Sequence, residues 1–399
     1  MVRQGYKMTE LGEMPEDWEV KKLGDILKIR YGKSQRQVED SNGSIPILGT
    51  GGLMGYANKA LYEEESVLIG RKGTIDKPYY MNEPFWTVDT LFYSEIFKPN
   101  VPKWIFYLFQ SIPWKSYNEA TGVPSLSGKI IESIKICLPS NKEQQKIADI
   151  LSTVDAQLEQ TDQLIKKTKE LKKGLMQKLL KKGIGHTGFK QTEVGEIPAE
   201  WECVQLKDIL EVQGGYAFKS KDSVQEGIRW IKIANVGMGK ISWKEKSYLP
   251  TNFEEEYSDY VLKSNDIVMA MTRPVLRNET KISRIERSDT PSLLNQRVCR
   301  FIFSNKINNS FFYHFARTIS FAYSIQDQIL GTDPPNISAN QIKSIYVPLP
   351  PLPEQQKIAD ILSSVDGQLE GYNTKKEKLE LLKKGLMQQL LTGKVRVSV

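Results

Sequence analysis

The chain has 399 residues, 26% of them charged and 40% hydrophobic, which is enough for two or three domains with cores of their own. Its net charge of +7 permits a nucleic-acid partner without requiring one, and no apolar run reaches the length of a signal core or a bilayer span, so a cytoplasmic protein without membrane contact is expected. Cys137, Cys203 and Cys299 are odd in number, lack CxxC spacing and have only His186 and His314 for company, which argues against a zinc site or a disulfide framework.

Residues 6–27 read YKMTELGEMPEDWEVKKLGDIL, and FKQTEVGEIPAEWECVQLKDIL follows at 189–210, offset by 183 positions. In both, a Gly-Glu-x-Pro turn precedes Trp18 or Trp201, so a kink is expected to plant an aromatic anchor ahead of a short amphipathic stretch. The first variable block, 28–138, strings short apolar and aromatic runs between Gly, Asn and Asp, the pattern of strands and tight turns. A helix is expected at 103–117, interrupted near Pro113. Gly49, Gly51 and Gly55 do not fit GxGxxG and a strand-like stretch follows, so no nucleotide cofactor is expected there. Backbone amides of such a loop could still approach a DNA phosphate. Lys33, Arg36, Thr50, Gly51, Arg71, Lys72 and Thr74 are therefore candidate DNA contacts, with ordinary turn residues as the competing reading.

Residues 143–180 read as one long helix that opens EQQKIADILS and closes LKKGLMQ, and both strings recur 211 positions later in residues 354–391. Ser140, three before Glu143, forms a capping-box pattern at its start. The expected packing stripe is Ile147, Leu151, Val154, Leu158, Ile165, Leu171, Leu175 and Leu179, matched by Ile358, Leu362, Val365, Leu369, Leu379, Leu382, Leu386 and Leu390. Thr161, Thr168 and Lys376 interrupt it with polar groups that can fix register. Gly174 and Gly385 each cost about 1 kcal/mol relative to Ala. Their matched positions suggest either a close helix crossing or tolerated glycines. Gly183, Gly185 and Gly188 then break the first helix.

The second variable block, 211–345, repeats the style of the first with different residues. Between 271 and 300, seven Lys and Arg stand against Glu279, Glu286 and Asp289. The candidate DNA contacts here are Tyr216, Lys219, Lys221, Lys232, Asn235, Arg273, Arg277, Lys281 and Arg297, with a solvated basic face as the competing reading. Asp333, Pro334, Pro335 and Asn336 imitate an adenine-methyltransferase loop but lack the aromatic fourth residue that stacks on the base, and Gly237 and Gly239 are too short a signal for a loop that binds S-adenosylmethionine. No catalytic constellation and no metal site is expected. The second helix is entered through Pro353 in its first turn.

The order is thus motif, variable block and long helix, written twice. It predicts an α+β protein: two globular mixed α/β domains joined by two long antiparallel coiled-coil helices with an internal pseudo-two-fold repeat. A 38-residue helix is roughly 57 Å long. Its apolar stripe needs a partner, and the other copy supplies one.

TExGExPxxW occurring twice, EQQKIADIL occurring twice and the closing LLTGKVRV resemble the specificity subunit of type I restriction-modification systems. The resemblance covers nearly the whole chain. At the first helix it departs from the family, with Ser140, Asn141 and Lys142 replacing the Pro-rich approach of residues 351–353. It implies a first target-recognition domain at 1–139, a spacer helix at 140–183, a second recognition domain at 184–350, and a second helix with a tail at 351–399. Each recognition domain would read half of a bipartite, asymmetric double-stranded DNA site. The helices would set the spacing and dock two methyltransferase subunits, and restriction subunits with motor and nuclease activity would join them. The chain itself would be non-catalytic and hold no cofactor, with S-adenosylmethionine, ATP and Mg in the partner subunits. From the residues alone, a protein scaffold and a self-sufficient DNA-modifying enzyme are the alternatives.

Overall fold

The computed structural model describes residues 2–329 and 334–398. Contacts divide the chain into two units, one comprising Met1–Gln163 with Asn373–Val399 and the other Leu164–Tyr372. Each unit contains one variable block and a stretch of each of two long helices, Asn141–Lys182 and Leu352–Leu390.

In the first unit, four antiparallel strands lie in the order Leu27–Tyr31, Leu91–Ile96, Ser66–Gly70 and Tyr79–Met81. A second sheet holds Gly52–Ala57, Ile45–Gly49 and Trp86–Thr87. The helix Pro102–Ser111 starts at its proline, whose missing N–H costs nothing in a first turn, and a 3-10 turn, Trp114–Tyr117, follows the break at Pro113. Trp18, Phe92, Trp104, Phe109 and Trp114 fill the core, together with Ile147 and Leu151 from the first long helix and Leu390 from the second.

The second unit reproduces that sheet order with Leu210–Gly214, Val298–Phe303, Ile267–Ala270 and Ile282–Arg284, all antiparallel. Trp201, Phe301, Phe311, Phe312 and Phe321 fill its core with Ile358 and Leu362. Ile147, Leu151, Ile358 and Leu362, read from sequence as helix-to-helix contacts, are therefore core residues of the blocks. The first turns of each helix bury their apolar face against a sheet domain as well as against the other helix.

The repeated motif is more than a kink. Tyr6–Thr9 and Gly12–Pro15 form a hairpin, as do Phe189–Thr192 and Gly195–Pro198. The stretch after each tryptophan is a strand, Glu19–Lys22 paired with Lys135–Leu138 and Glu202–Gln205 paired with Tyr346–Leu349. Each tryptophan then meets the opening glutamate of a long helix. Trp18 Nε1 donates to Glu143 Oε2 at 3.1 Å, and Arg396 Nε donates to Glu143 Oε1 at 2.8 Å. Trp201 Nε1 donates to Glu354 Oε2 at 2.9 Å, and Glu354 Oε1 accepts from Ile184 N at 2.8 Å and lies 2.9 Å from His186 Nε2. A buried carboxylate is tolerated only with such partners. The two repeated motifs are thus the two sides of one lock, formed once in each unit.

Ser140 caps the first helix as its sequence suggests, with Glu143 N donating to Ser140 Oγ at 3.3 Å. Pro353 falls in the first turn of the second helix, one residue past its start at Leu352. The helices run antiparallel within each unit: Asp155 pairs with Lys383 at 2.7 Å and Asp162 with Lys376 at 2.7 Å in the first, and Lys172 with Asp366 in the second. Val154, Ile165, Val365, Leu379 and Leu390 are buried, as are Thr161 and Thr168, while Leu158, Leu175, Leu369 and Leu386 are half-buried. Two expectations fail. Leu171 is 53% exposed and Leu382 is 50% exposed, because the neighbouring Lys172 and Lys383 take the inward position to reach Asp366 and Asp155. Gly174 and Gly385 mark no close crossing, since a Cβ on either would meet open space.

Candidate nucleic-acid interface

Strand register brings most of the candidate residues of the first unit to one edge. Phe92 pairs with Tyr31 and Leu91 with Gly70, so the ends of Leu27–Tyr31 and Ser66–Gly70 and the start of Leu91–Ile96 lie together. Lys33 and Arg36 follow the first of these strands and are exposed; Arg71, Lys72 and Thr74 follow the second. Arg71 Nη1 donates to Asp89 O at 3.2 Å, and its guanidinium lies 5.3 Å from the Tyr31 ring, which fixes its stem while leaving Lys72 in solvent. Thr50 and Gly51 form the tip of the hairpin of Ile45–Gly49 and Gly52–Ala57. This tip packs beside the second turn: a Cβ on Gly70 would lie 3.1 Å from Thr50 Cγ2 and 2.0 Å from Thr74 O, so only glycine fits at 70. Exposed Tyr31, Leu53, Met54 and Tyr56 share these strands, and sequence reasoning missed them. Half-buried strands carry apolar residues on both faces, so periodicity could not separate the wet face from the core.

The second unit builds the same edge. Gly214 pairs with Cys299 and Ala270 with Val298, which places Tyr216, Arg273 and Arg297 at the ends of three adjacent strands. The loops share their anchoring backbone bonds. Arg71 N donates to Thr90 O and Met271 N to Arg297 O; Gly73 N donates to Pro124 O and Arg273 N to Pro335 O. The first unit uses a glycine with φ +84° at this last position, and the second uses Arg273 with φ 49°. An arginine in the left-handed region is strained by about 1–2 kcal/mol, and it is exposed. Arg277 and Asn278 also have positive φ, at 52° and 62°, and close the hairpin of Val275–Leu276 and Glu279–Thr280 as a type I′ turn that holds Arg277 and Leu276 in solvent. Arg297 is exposed, with Nη1 3.5 Å from Thr272 Oγ1. Lys219 and Lys221 are exposed on the loop beyond Tyr216, whose ring packs against Tyr257 at 4.5 Å and Phe218 at 5.0 Å.

Three candidates belong to the framework instead. Asn235 is buried with its amide fully used: Oδ1 accepts from Lys232 N at 2.9 Å, and Nδ2 donates to Ser242 O at 3.0 Å and Glu245 O at 2.8 Å. Lys281 Nζ donates to Ile233 O at 2.8 Å, and burial lowers its pKa. Lys232 Nζ donates to Ser247 Oγ at 3.0 Å and lies 3.9 Å from the Trp230 ring centroid, with burial again lowering its pKa. The basic surplus of 271–300 shrinks likewise. Arg284 is held 4.4 Å from the Tyr313 ring, and Arg300 is spent on Gln213 and on Asp266 at 3.2 Å. Arg273, Arg277, Arg287 and Arg297 remain exposed. Asp333 lies outside the described residues; Pro335 and Asn336 pin the loop of Arg273, with Thr272 Oγ1 2.8 Å from Asn336 Oδ1. Among the described residues, no cluster of His, Cys, Asp and Glu has metal-binding geometry, and no helix is long and apolar enough to cross a membrane.

The sequence profile of the Type I restriction modification DNA specificity domain matches residues 15–170 and again 198–381. The chain is 36% identical over 420 residues to the Type I restriction enzyme MjaVIII specificity subunit of Methanocaldococcus jannaschii, across 100% of this chain and 98% of that protein. It is 35% identical over 164 residues to the Type I restriction enzyme EcoAI specificity subunit of Escherichia coli, across 41% of this chain and 28% of that one. The crystal structure of a type I restriction-modification system S subunit from M. genitalium shares the fold with a TM-score of 0.66 at 16% identity, covering 94% of this chain and 96% of that chain. With the profile matched twice over most of its length and a specificity subunit 36% identical across the whole of it, the chain belongs to the specificity subunits of type I restriction-modification systems.

Proposed function

We propose that this subunit reads a bipartite, asymmetric double-stranded DNA site, one half with the sheet edge of each unit, and performs no chemistry itself. The observation that carries the reading is the pair of equivalent loop edges with unlike side chains, Gly73 in one and Arg273 in the other. One frame that presents two different surfaces suits two different half-sites. Lys33, Arg36, Thr50, Gly51, Arg71, Lys72 and Thr74 would contact the first half-site; Tyr216, Lys219, Lys221, Arg273, Arg277 and Arg297 would contact the second. Arg and Lys supply phosphate contacts and bidentate readout of guanine, and exposed aromatic and apolar side chains supply contact with thymine methyls.

The long helices would set the spacing and dock two methyltransferase subunits. Leu171 and Leu382 support the docking, because they are exposed and repeat-related, 211 residues apart, each three residues before a glycine whose missing Cβ leaves open space, and so offer two like surfaces to two like partners. S-adenosylmethionine, ATP and Mg would belong to the methyltransferase and restriction subunits. The test is methylation mapping with the assembled complex. A split asymmetric motif is expected, and S-adenosylmethionine with the chain alone should leave DNA unmodified. Methylation by the chain alone, or a contiguous target, would overturn the reading.

A further inference from the structure

We infer that each unit carries a port, built from repeated helix residues, into which the variable block plugs through a polar side chain of its own helix, joined in the second unit by an arginine just past that helix, and that this plug positions the block on the long helices. In the first unit Tyr107 Oη donates to Asp155 Oδ2 at 2.8 Å and lies 3.2 Å from Ser152 Oγ. Lys383, from the other long helix, reaches Asp155 at 2.7 Å and stands over the Tyr107 ring at 5.4 Å. In the second unit His314 Nε2 lies 3.0 Å from Ser363 Oγ, and Nδ1 lies 3.9 Å from Asp366 Oδ2. Asp366 also pairs with Lys172, again from the other long helix, and with Arg317 at 3.4 Å. Ser152 and Ser363, Asp155 and Asp366, and Lys172 and Lys383 are each 211 residues apart, so the port is one device made twice.

The plugs come from the unlike blocks, yet they sit in register. Gln144 Oε1 accepts from Val101 N at 2.9 Å and Gln355 Oε1 accepts from Asn308 N at 2.7 Å, which docks the residue before each plug helix on equivalent glutamines. Counting from those residues, Tyr107 and His314 are both the sixth. One block therefore presents a phenol and the other an imidazole with an arginine three residues on, and both satisfy the same serine and aspartate. His314 is fully buried and Nδ1 finds no hydrogen-bond partner, so this plug is the looser of the two. An aspartate shared between a lysine of one helix and a plug from the block fixes the helix pair and the block in one geometry. Ordinary apolar contact would let the block rock.

The DNA consequence rests on the proposed reading of each block as a DNA reader. Tyr107→Phe in the complex with methyltransferase partners, assayed on a library of half-sites at varied separations, should leave base preferences unchanged and widen the accepted spacing by at least one base pair. Tyr107→His with Gln110→Arg rebuilds the plug of the second unit in the first port and should restore the wild-type spacing. In the chain alone, hydrogen exchange of the Pro102–Ser111 amides should speed about tenfold in Tyr107→Phe while the sheet amides hold, as expected for loss of a bond to a charged acceptor. Lys383→Gln, which removes only the cation, provides the same two readouts if the first variant does not fold. Unchanged spacing together with unchanged exchange in a folded variant overturns the port. Absence of any sequence-specific methylation by the wild-type complex overturns the DNA reading, and the exchange experiment then decides the port by itself.

Discussion

Arg273→Gly should strengthen the fold and weaken DNA binding, two effects of opposite sign from one substitution. Arg273 holds φ 49° at the position where the first unit has Gly73 at φ +84°. Relief of the left-handed strain is worth about 1–2 kcal/mol, and the greater freedom of glycine in the unfolded chain takes back about 0.5–1 kcal/mol, for a net gain of up to about 1.5 kcal/mol. Arg297→Gly is the control. Its backbone has no positive φ to relieve, so it should lose stability by about 0.5–1 kcal/mol. Urea unfolding of the two variants should thus separate them by about 1–2 kcal/mol. Binding of the complex to its DNA, measured across salt concentrations, should weaken in both variants with a log-log slope shallower by about 1 if each arginine meets one phosphate. Equal destabilisation by both substitutions refutes the strain argument. Unchanged affinity and slope returns both arginines to an ordinary solvated face.

Burial pushes the His314 imidazole pKa down to about 3 from 6.5, with Asp366 opposing and Lys172, Arg317 and Arg284 reinforcing. The unfolded state therefore takes up its proton first; the stability is fully present above about pH 6.5 and is lost as pH falls toward 3. At pH 5 the loss is about 2 kcal/mol, visible in urea unfolding at pH 7 and 5, and it should be absent from His314→Gln. Glu354→Ala strands the Trp201 indole and the Ile184 amide and should cost about 3 kcal/mol by thermal or urea unfolding, where a loss under 1 kcal/mol would deny the lock. A heptad inserted in both long helices, after Gln163 and after Thr374, keeps the stripe in phase and adds about 10.5 Å of helix. Methylation mapping should then find the spacer about three base pairs longer, and an unchanged spacer removes the ruler.

The long helices were legible because Ile147, Leu151, Val154 and their copies recur at helical spacing, and the duplication was legible because EQQKIADILS is repeated verbatim. What each helix residue touches was not. Lys172 and Leu171 are adjacent, and hydrophobicity chose the leucine for the inward face, whereas a half-buried aspartate across the seam, Asp366, chose the lysine. Gly174 looked like a contact because its copy Gly385 shares its place, but repetition reports a shared constraint without saying on which side of the helix it acts. In the variable blocks, residue type misled in the other direction. Asn235 and Lys281 have side chains suited to DNA and spend them on backbone groups of their own loop, a choice set by tertiary burial that a string of letters does not encode. The left-handed backbone of Arg273 was equally hidden, since only the hydrogen-bond match with Gly73 exposes it.

The distribution of sameness and difference between the halves carries its own physical argument. Side chains that couple elements, namely Glu143, Gln144, Ser152, Asp155 and Lys172, have identical copies at 354, 355, 363, 366 and 383. Each copy makes the corresponding lock or port in its own unit. The loops at the sheet edges share backbone hydrogen bonds but almost no side chains, as Gly73 against Arg273 illustrates. A backbone bond constrains where a loop runs without constraining what it displays, whereas a buried carboxylate constrains both the residue and its partners. Substitution at the edges therefore costs little in folding energy, about the strain of one left-handed residue, while substitution of a lock glutamate strands the donors it accepts from, at about 1–3 kcal/mol each. This asymmetry lets the displayed surface change while the frame that holds it stays fixed, which is what the proposed reading of two unlike half-sites from one repeated scaffold requires.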